Sequence, residues 1–159
     1  MVETGHFALV LAFAMALVQS VVPIAGARTG DERLMAVGAP AAIAGFLLTA
    51  LSFAALVTAY VQSDFSVVNV WENSHSLQPL LYKITGTWGN HEGSMLLWVL
   101  ILTLFGSLVA LFGGNLPPSL KATVLSVQGW IGAAFFLFIL TTSNPFTRLI
   151  PAPIEGREL

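Results

Sequence analysis

The sequence predicts an all-α membrane protein with four transmembrane helices and one long extracytoplasmic loop. Of its 159 residues, 56% are hydrophobic and only 9% are charged, a balance far outside that of soluble domains. Crossing the hydrocarbon core takes about 20 mostly apolar residues, and four windows meet that need, at about 7–27, 39–61, 94–112 and 122–142. The segment between the second and third windows, about 62–93, is too long for a simple turn.

Composition also excludes several classes of function. Six basic and eight acidic residues are scattered along the chain, so no nucleic-acid-binding surface is predicted. The chain has no cysteine, which excludes disulfides, thiolate catalysis and Cys-ligated zinc or iron-sulfur centres within it. It has no Ser-His-Asp motif, phosphate-binding glycine loop or paired-carboxylate signature, so hydrolase and kinase functions have no support.

The spans have recognisable boundaries. No basic residue precedes the first apolar run, which favours a retained span over a cleaved signal peptide. The second span follows Pro40, and its many small residues predict close packing against a neighbouring helix. Glycines and prolines at 113–118 end the third span, and Ser143 to Pro145 end the fourth. The tail from Asn144 onward contains three prolines, Pro145 included, and is predicted to form no helix.

The long loop is predicted in three parts. The run DFSVVNVW at 64–71 is rich in β-branched residues and favours extended backbone. The run PLLYKI at 79–84 predicts a short helix that lies on the membrane surface. The run GTWGNHEGS at 86–94 has three glycines, which permit close approach of a flat ligand or of another chain. Asn90 or Ser94 is expected to cap the third span.

Most of the chemically able side chains of the chain lie in or beside this loop. The tryptophans there fit either an interfacial aromatic belt or a stacking platform for a flat ligand. Glu92 fits the first turn of a helix, where its charge opposes the helix dipole, as well as a functional role. His75 and His91 match no zinc-site spacing; haem ligation by either is possible in principle, although spacing cannot show it. His6 is expected to be a solvated interface residue.

Charge gives the orientation. With four spans, each side of the membrane carries three basic residues. The short turns next to spans weigh most in the positive-inside rule, so the turns at 28–33 and 113–121 are predicted to be cytoplasmic. The loop at 62–93 would then face the periplasm or its equivalent.

The run WENSHSLQPLLYKITGTWGNHEGSMLLW at 71–98, with the tail NPFTRLIPAPIEGREL, resembles the N-terminal part of the CcmF/CycK/NrfE family, the membrane subunit of bacterial-type cytochrome c haem lyase. The resemblance covers essentially the whole chain. It implies a helical bundle in the bacterial inner membrane, or in the mitochondrial inner membrane if the gene is organellar. The implied activity is attachment of haem, delivered by the chaperone CcmE, to the thiols of a CXXCH motif in apocytochrome c. Implied partners are the remainder of CcmF, CcmE, CcmH/CcmI-type subunits, apocytochrome c and lipid.

The chain also departs from the family. Family members are several times longer, and their tryptophan-rich WWD motif and the histidines regarded as haem ligands follow the region matched here. No haem-ligand, catalytic or metal role is therefore carried over to His75 or His91. The chain is expected to be one piece of a split or truncated CcmF, a single membrane domain that does not catalyse ligation alone. The residues expected to support haem handling or docking are Trp71, His75, Trp88, Asn90, His91 and Glu92.

Two alternatives stay open: a structural or docking subunit of the maturation complex, and a piece of a small-solute or proton transporter. Against the transporter, the predicted span interiors contain no Asp, Glu, Lys, Arg or His, whereas intramembrane paths usually need such groups.

Overall fold

The computed structural model describes residues 1–157, and within them the fold is built from helices, with no strand beyond one isolated bridge. The chain forms seven helices in this range: α1 Val2–Thr29, α2 Glu32–Ala36, α3 Gly38–Val61, α4 Val68–Asn73, α5 Leu80–Gly86, α6 His91–Phe112 and α7 Pro118–Thr142.

The four long helices are the predicted spans. Each of α1, α3, α6 and α7 is long and apolar enough to cross a membrane, and α2 continues almost directly into α3. They pack in a ring in which α1 contacts α3 and α7, while α6 contacts α3 and α7. The predicted four-span, all-α class is therefore confirmed. The helices begin one to five residues before the predicted spans, and α1 also ends two residues later.

Small residues bring α1 and α7 together. A Cβ atom at Gly129 would lie 2.8 Å from the backbone nitrogen of Ser20, so the two backbones nearly touch there. Beside this contact, Gln19 donates a hydrogen bond to the carbonyl of Leu125 over 2.7 Å and another to the side chain of Gln128. Gln128 in turn donates to the carbonyl of Leu102 in α6 over 2.7 Å. Close packing and neutral polar contacts thus join three of the four spans.

The short connections lie at one end of the bundle. Gly30 ends α1 with φ at 74°, a left-handed geometry that glycine adopts without strain. Asp31 then caps α2 by accepting from the backbone nitrogen of Arg33 over 2.9 Å. At the other connection, the Lys121 ammonium donates to the carbonyl of Ala110 over 3.0 Å and so satisfies one of the carbonyls in the last turn of α6.

The prediction of extended backbone for the first part of the loop is wrong in its second half. Val67 forms the isolated bridge, but Val68–Asn73 is the helix α4. Val67 and Val70 are both fully buried, and one helical turn lets both reach the core beneath the loop. Burial therefore outweighs the β preference of the valines, which is a weak and context-dependent quantity.

The tail after α7 forms no helix in the described residues, as predicted, and it runs back along the start of the loop. The amide of Val68 donates to the carbonyl of Thr147 over 2.8 Å, and the amide of Leu149 donates to the carbonyl of Ser66 over 2.6 Å. Loop and tail therefore share one end of the bundle, opposite the short connections. The last two residues of the predicted tail lie outside the described range.

Candidate functional site

A closed triangle of hydrogen bonds lies beneath the loop. The hydroxyl of Tyr60, at the end of α3, donates to the side-chain oxygen of Asn69. Asn69 donates from its amide nitrogen to the side-chain oxygen of Asn90 over 2.8 Å. Asn90 completes the triangle by donating to the Tyr60 hydroxyl oxygen over 3.0 Å. Tyr60 is fully buried and Asn69 is 4% exposed, so this polar group stays intact because its members satisfy one another.

Asn90 is the hub of the group. Its side-chain oxygen also accepts from the backbone nitrogen of Gly93 over 2.8 Å, which makes it the N-cap of α6, one of the two caps expected. Its amide nitrogen also donates to the carbonyl of Gly86 over 2.8 Å. Glu92 lies in the first turn of α6 and accepts from Asn69 over 3.3 Å. Asn90 and Glu92 thus hold the loop in position, and Asn90 makes most of the hydrogen bonds.

The glycines of the loop permit close approach of the chain's own backbone and side chains, rather than of a ligand or another chain. A Cβ atom at Gly93 would lie 1.6 Å from the carbonyl oxygen of Thr87, so only glycine fits where α6 begins. Gly86 faces the ring of Tyr60, and a Cβ atom there would lie 3.4 Å from Cε1 of that ring. The segment before α6 is therefore folded tightly against its own backbone.

Trp71 and His75 lie under the tail. The guanidinium of Arg157 lies 5.5 Å from the centre of the Trp71 ring, and the Arg157 amide donates to the Trp71 carbonyl over 2.7 Å. Glu155 accepts from the backbone nitrogen of Ser76 over 2.9 Å and from its hydroxyl. The same carboxylate lies 3.7 Å from Nε2 of His75. We call the contacts of residues 155–157 with residues 71–76 the tail clasp.

The tail clasp depends on an ionised carboxylate. Hydrogen bonds from the hydroxyl and then from the amide of Ser76 lower the pKa of Glu155 from 4.5 to about 2, with smaller contributions from the Gly156 amide and from His75. Glu155 is therefore charged at physiological pH. Gly156 fits tightly, since a Cβ atom there would lie 1.9 Å from the carbonyl oxygen of Ser74.

Trp88 and His91 lie elsewhere, on an open groove at the start of α6. The groove has a volume of about 370 Å³ and is lined by Trp88, His91, Met95 and Trp98 together with the intervening small residues. Trp88 is 38% exposed and stacks on Phe53 at 6.4 Å between ring centres, while Trp98 is 59% exposed. We call this surface the aromatic groove. It presents flat apolar faces beside one imidazole.

His91 is held at the end of α7. Its Nε2 lies 3.0 Å from the hydroxyl of Ser143, and its ring meets the Phe138 ring edge-on at 6.3 Å. Its other ring nitrogen has no hydrogen bond in the described part of the chain. His6 is half-buried rather than freely solvated, with Nδ1 at 3.4 Å from the amide of Asn144 and its ring edge-on to Phe146.

The described residues do not form a preassembled metal or haem-iron site. Among residues 1–157, no group of three His, Cys, Asp or Glu side chains could hold a metal ion. Both ring nitrogens of His75 already face partners, since Nδ1 accepts from the amide of Leu77 over 3.1 Å and Nε2 faces Glu155. His91 has one ring nitrogen without a hydrogen bond among the described residues. It packs against the end of α7, however, whereas His75 packs against the tail. No axial pair of histidines is present in this range.

The six candidate residues thus lie in three places rather than in one constellation. Trp71 and His75 belong to the tail clasp. Asn90 and Glu92 accept hydrogen bonds from Asn69 beneath the loop. Trp88 and His91 lie on the aromatic groove, which Asn90 also lines. Sequence reasoning missed Tyr60, Asn69 and the tail residues Glu155 and Arg157. Tyr60 is one of only two tyrosines, and a phenol at the end of an apolar span is a signal that could have pointed to the triangle of hydrogen bonds.

The chain is similar throughout to cytochrome c-type biogenesis proteins, although no family model matches it. It is 66% identical over 158 residues to CycK of Rhizobium meliloti (strain 1021) and 44% identical over 160 residues to CcmF of Escherichia coli (strain K12). These matches cover 99% and 100% of the chain but only 23% and 25% of the relatives. The chain therefore spans about a quarter of their length.

A solved structure agrees. The chain superposes on the cytochrome c haem lyase CcmF with a TM-score of 0.85 at 28% identity, over 92% of this chain and 24% of that one. The resemblance read from the loop is therefore confirmed by sequence and by fold. The chain belongs to the CcmF/CycK/NrfE family of cytochrome c-type biogenesis proteins, as an N-terminal part of it.

Proposed function

We propose that this chain supplies part of a cytochrome c haem lyase, in which the aromatic groove is a docking surface for the substrates of haem attachment. The proposal rests on one observation: the loop is fixed in place by hydrogen bonds, whereas two of the tryptophans in or beside it are exposed. Tyr60, Asn69 and Asn90 fix the loop from beneath by mutual hydrogen bonds. Trp88 and Trp98 are left substantially exposed beside His91. A rigid loop that displays aromatic faces is suited to recognition rather than to chemistry.

Haem is a substrate in this proposal, not a cofactor of the chain. The porphyrin ring is flat and apolar, and aromatic side chains bind such faces by stacking. The groove offers two exposed indoles and the uncommitted nitrogen of His91. It could contact either haem as it is delivered by CcmE or an aromatic surface of CcmE or apocytochrome c. Formation of the bonds to the CXXCH thiols is assigned to parts of the family protein outside this chain, with CcmH/CcmI-type subunits as further partners.

The proposed location follows from the same family role. The four helices would lie in the bacterial inner membrane, or in the mitochondrial inner membrane for an organellar gene, with loop and tail in the periplasm or its equivalent. The exposed side chains of Leu80, Leu81 and Tyr82 on α5 are 58%, 67% and 63% accessible. They support the placement of α5 on the membrane surface, because large apolar side chains left uncovered by protein are stabilised there by lipid.

The test is the replacement of His91 by alanine in the complete maturation complex. We expect a several-fold lower yield of holocytochrome c, with the integral haem of the complex retained. Ser143→Ala is the matched control, because it removes the partner of His91 but leaves the imidazole on the groove; its yield should stay near that of the wild type. Loss of the integral haem in His91→Ala would show a ligand role instead. An unchanged yield in both His91→Ala and Trp88→Ala would reject the docking surface.

A further inference from the structure

We infer that the end of the bundle opposite the loop carries a binding site for one zwitterionic phospholipid with a primary ammonium group, such as phosphatidylethanolamine. The site is a cavity of about 360 Å³ between α2, the start of α7 and the connection from α6. Its volume falls within the range of about 300–1,000 Å³ that is usual for small-molecule sites. It shares no residue with the aromatic groove or the tail clasp, and it does not depend on the function proposed for them.

The two charged side chains of this cavity are of opposite sign. Glu32 and Lys121 both line it. Within residues 1–157, neither forms an ion pair within 4 Å, with the other or with any third group. The rim of the cavity therefore carries a solvent-exposed carboxylate and a half-buried ammonium that, among these residues, are not paired with each other or with a third charge. A ligand that carries one cation and one anion complements both.

The ammonium of Lys121 is held in position. One of its three N–H groups donates to the carbonyl of Ala110 over 3.0 Å, which leaves the others available to an acceptor. Lysine binds phosphate as a point charge, so a phosphodiester fits here. The carboxylate of Glu32 forms no side-chain hydrogen bond within the described residues, and an ethanolamine ammonium would supply the donors that it lacks.

The remainder of the cavity is apolar. Its wall is formed mainly by carbon atoms, with Met35, Leu116 and Leu125 as the large contributors. This lining selects a lipid over a free phosphoester, because a soluble headgroup would leave the apolar wall facing water. The location agrees, since the cavity lies where α1 passes into α3 and α6 passes into α7, at the ends of the four spans. Headgroups and the first carbons of acyl chains occupy that level of a bilayer.

Native mass spectrometry of the full chain in mild detergent tests the site. Dioleoyl phosphatidylethanolamine, phosphatidylcholine and phosphatidylglycerol are added at equal concentrations. We expect one phosphatidylethanolamine to be retained preferentially, because phosphatidylcholine cannot donate a hydrogen bond to Glu32 and phosphatidylglycerol has no cation. Glu32→Gln and Lys121→Ala should each lower retention by about tenfold, the effect of one lost charge-assisted hydrogen bond. Glu72→Gln and Lys83→Ala, at the other end of the bundle, are the matched controls and should retain the lipid.

Lys121→Ala also removes a helix cap, so Ala36→Phe provides a second variant that fills the cavity and leaves both charges in place. Circular dichroism identifies variants that keep their helix content, and Glu32→Gln changes a solvent-exposed position. Retention that is equal for all three lipids, or unchanged in Glu32→Gln and Ala36→Phe, would overturn the inference. Displacement of the lipid by millimolar phosphoethanolamine would overturn it as well, in favour of a site for a free phosphoester.

Discussion

The side-chain amide of Asn90 donates a hydrogen bond to the phenolic oxygen of Tyr60 over 3.0 Å, and so joins the N-terminus of α6 to the C-terminus of α3. The two residues lie 30 positions apart, with the whole loop between them. Since Asn69 in α4 bonds to both, the two ends of the loop and its first helix are fixed at one point.

Replacement of Asn90 by alanine should therefore destabilise the fold as well as the loop. It removes a helix cap, which is worth about 0.5–2 kcal/mol, and leaves a buried hydroxyl and amide short of partners at about 1–3 kcal/mol. We expect a loss of about 2–3 kcal/mol in the free energy of unfolding, measured by denaturation in detergent. Asn115→Ala is the matched control, because Asn115 is exposed in the turn before α7. Equal stability of the two variants would contradict a structural role for Asn90.

The tail clasp should open in acid. The pKa of Glu155 in the folded chain is about 2 against an ordinary 4.5, so its contribution to tail binding is complete above pH 4.5. It is lost progressively as the pH falls from 4.5 towards 2. We expect the emission of Trp71, taken as the difference between wild type and Trp71→Phe, to change within that window.

In Glu155→Gln the emission of Trp71 should already be that of the open tail at pH 6, and the amide of Ser76 should exchange its hydrogen faster. Glu72→Gln serves as the control, because Glu72 has no hydrogen bond to the tail in the described residues. A transition that persists unchanged in Glu155→Gln would show that another group controls the tail.

Gly129→Ala should push α1 and α7 apart. Its new Cβ atom would lie 2.8 Å from the Ser20 nitrogen and 3.0 Å from the Gln19 carbonyl carbon, both backbone atoms that cannot rotate away. We expect a loss of about 1–3 kcal/mol of stability, as is usual for overpacking. Gly45→Ala is the matched control in α3, since its nearest neighbour would be Met15 Cβ at 3.9 Å. The measurement is thermal unfolding of the two variants in detergent. If Gly129→Ala is as stable as Gly45→Ala, the close contact between α1 and α7 is contradicted.

The orientation can be tested because the chain has no cysteine. Leu77→Cys places a single thiol in the loop, where Leu77 is 77% exposed, and Gly114→Cys places one in the turn before α7, where a side chain meets nothing within 4 Å. A membrane-impermeant maleimide should label position 77 in intact spheroplasts and position 114 only after permeabilisation. The reverse pattern would invert the orientation. Labelling of both from outside would contradict four spans.

The four spans were predictable because lipid imposes a length and a composition that a local window detects. The loop was recognisable for a similar reason, since polar and aromatic residues are concentrated there. The roles within it were not predictable. Asn90 was expected to cap the third span, and it does, but its hydrogen bonds with Tyr60 and Asn69 were not foreseen, because these partners lie 30 and 21 residues away along the chain. Glu155 and Arg157 are 79 and 86 positions from the loop residues they contact, and no local pattern encodes such pairings.

The polar contacts between spans differ in kind from those outside. Gln19 and Gln128, which join α1, α6 and α7, are neutral amides, whereas the tail clasp rests on the carboxylate of Glu155. Amides do not titrate, so acidification leaves these glutamine contacts between the spans in place while it weakens the cover over Trp71 and His75. The two parts of the molecule thus differ in their response to pH. The glutamine contacts between the helices do not depend on it, whereas the tail clasp is expected to open in acid while the helices stay folded.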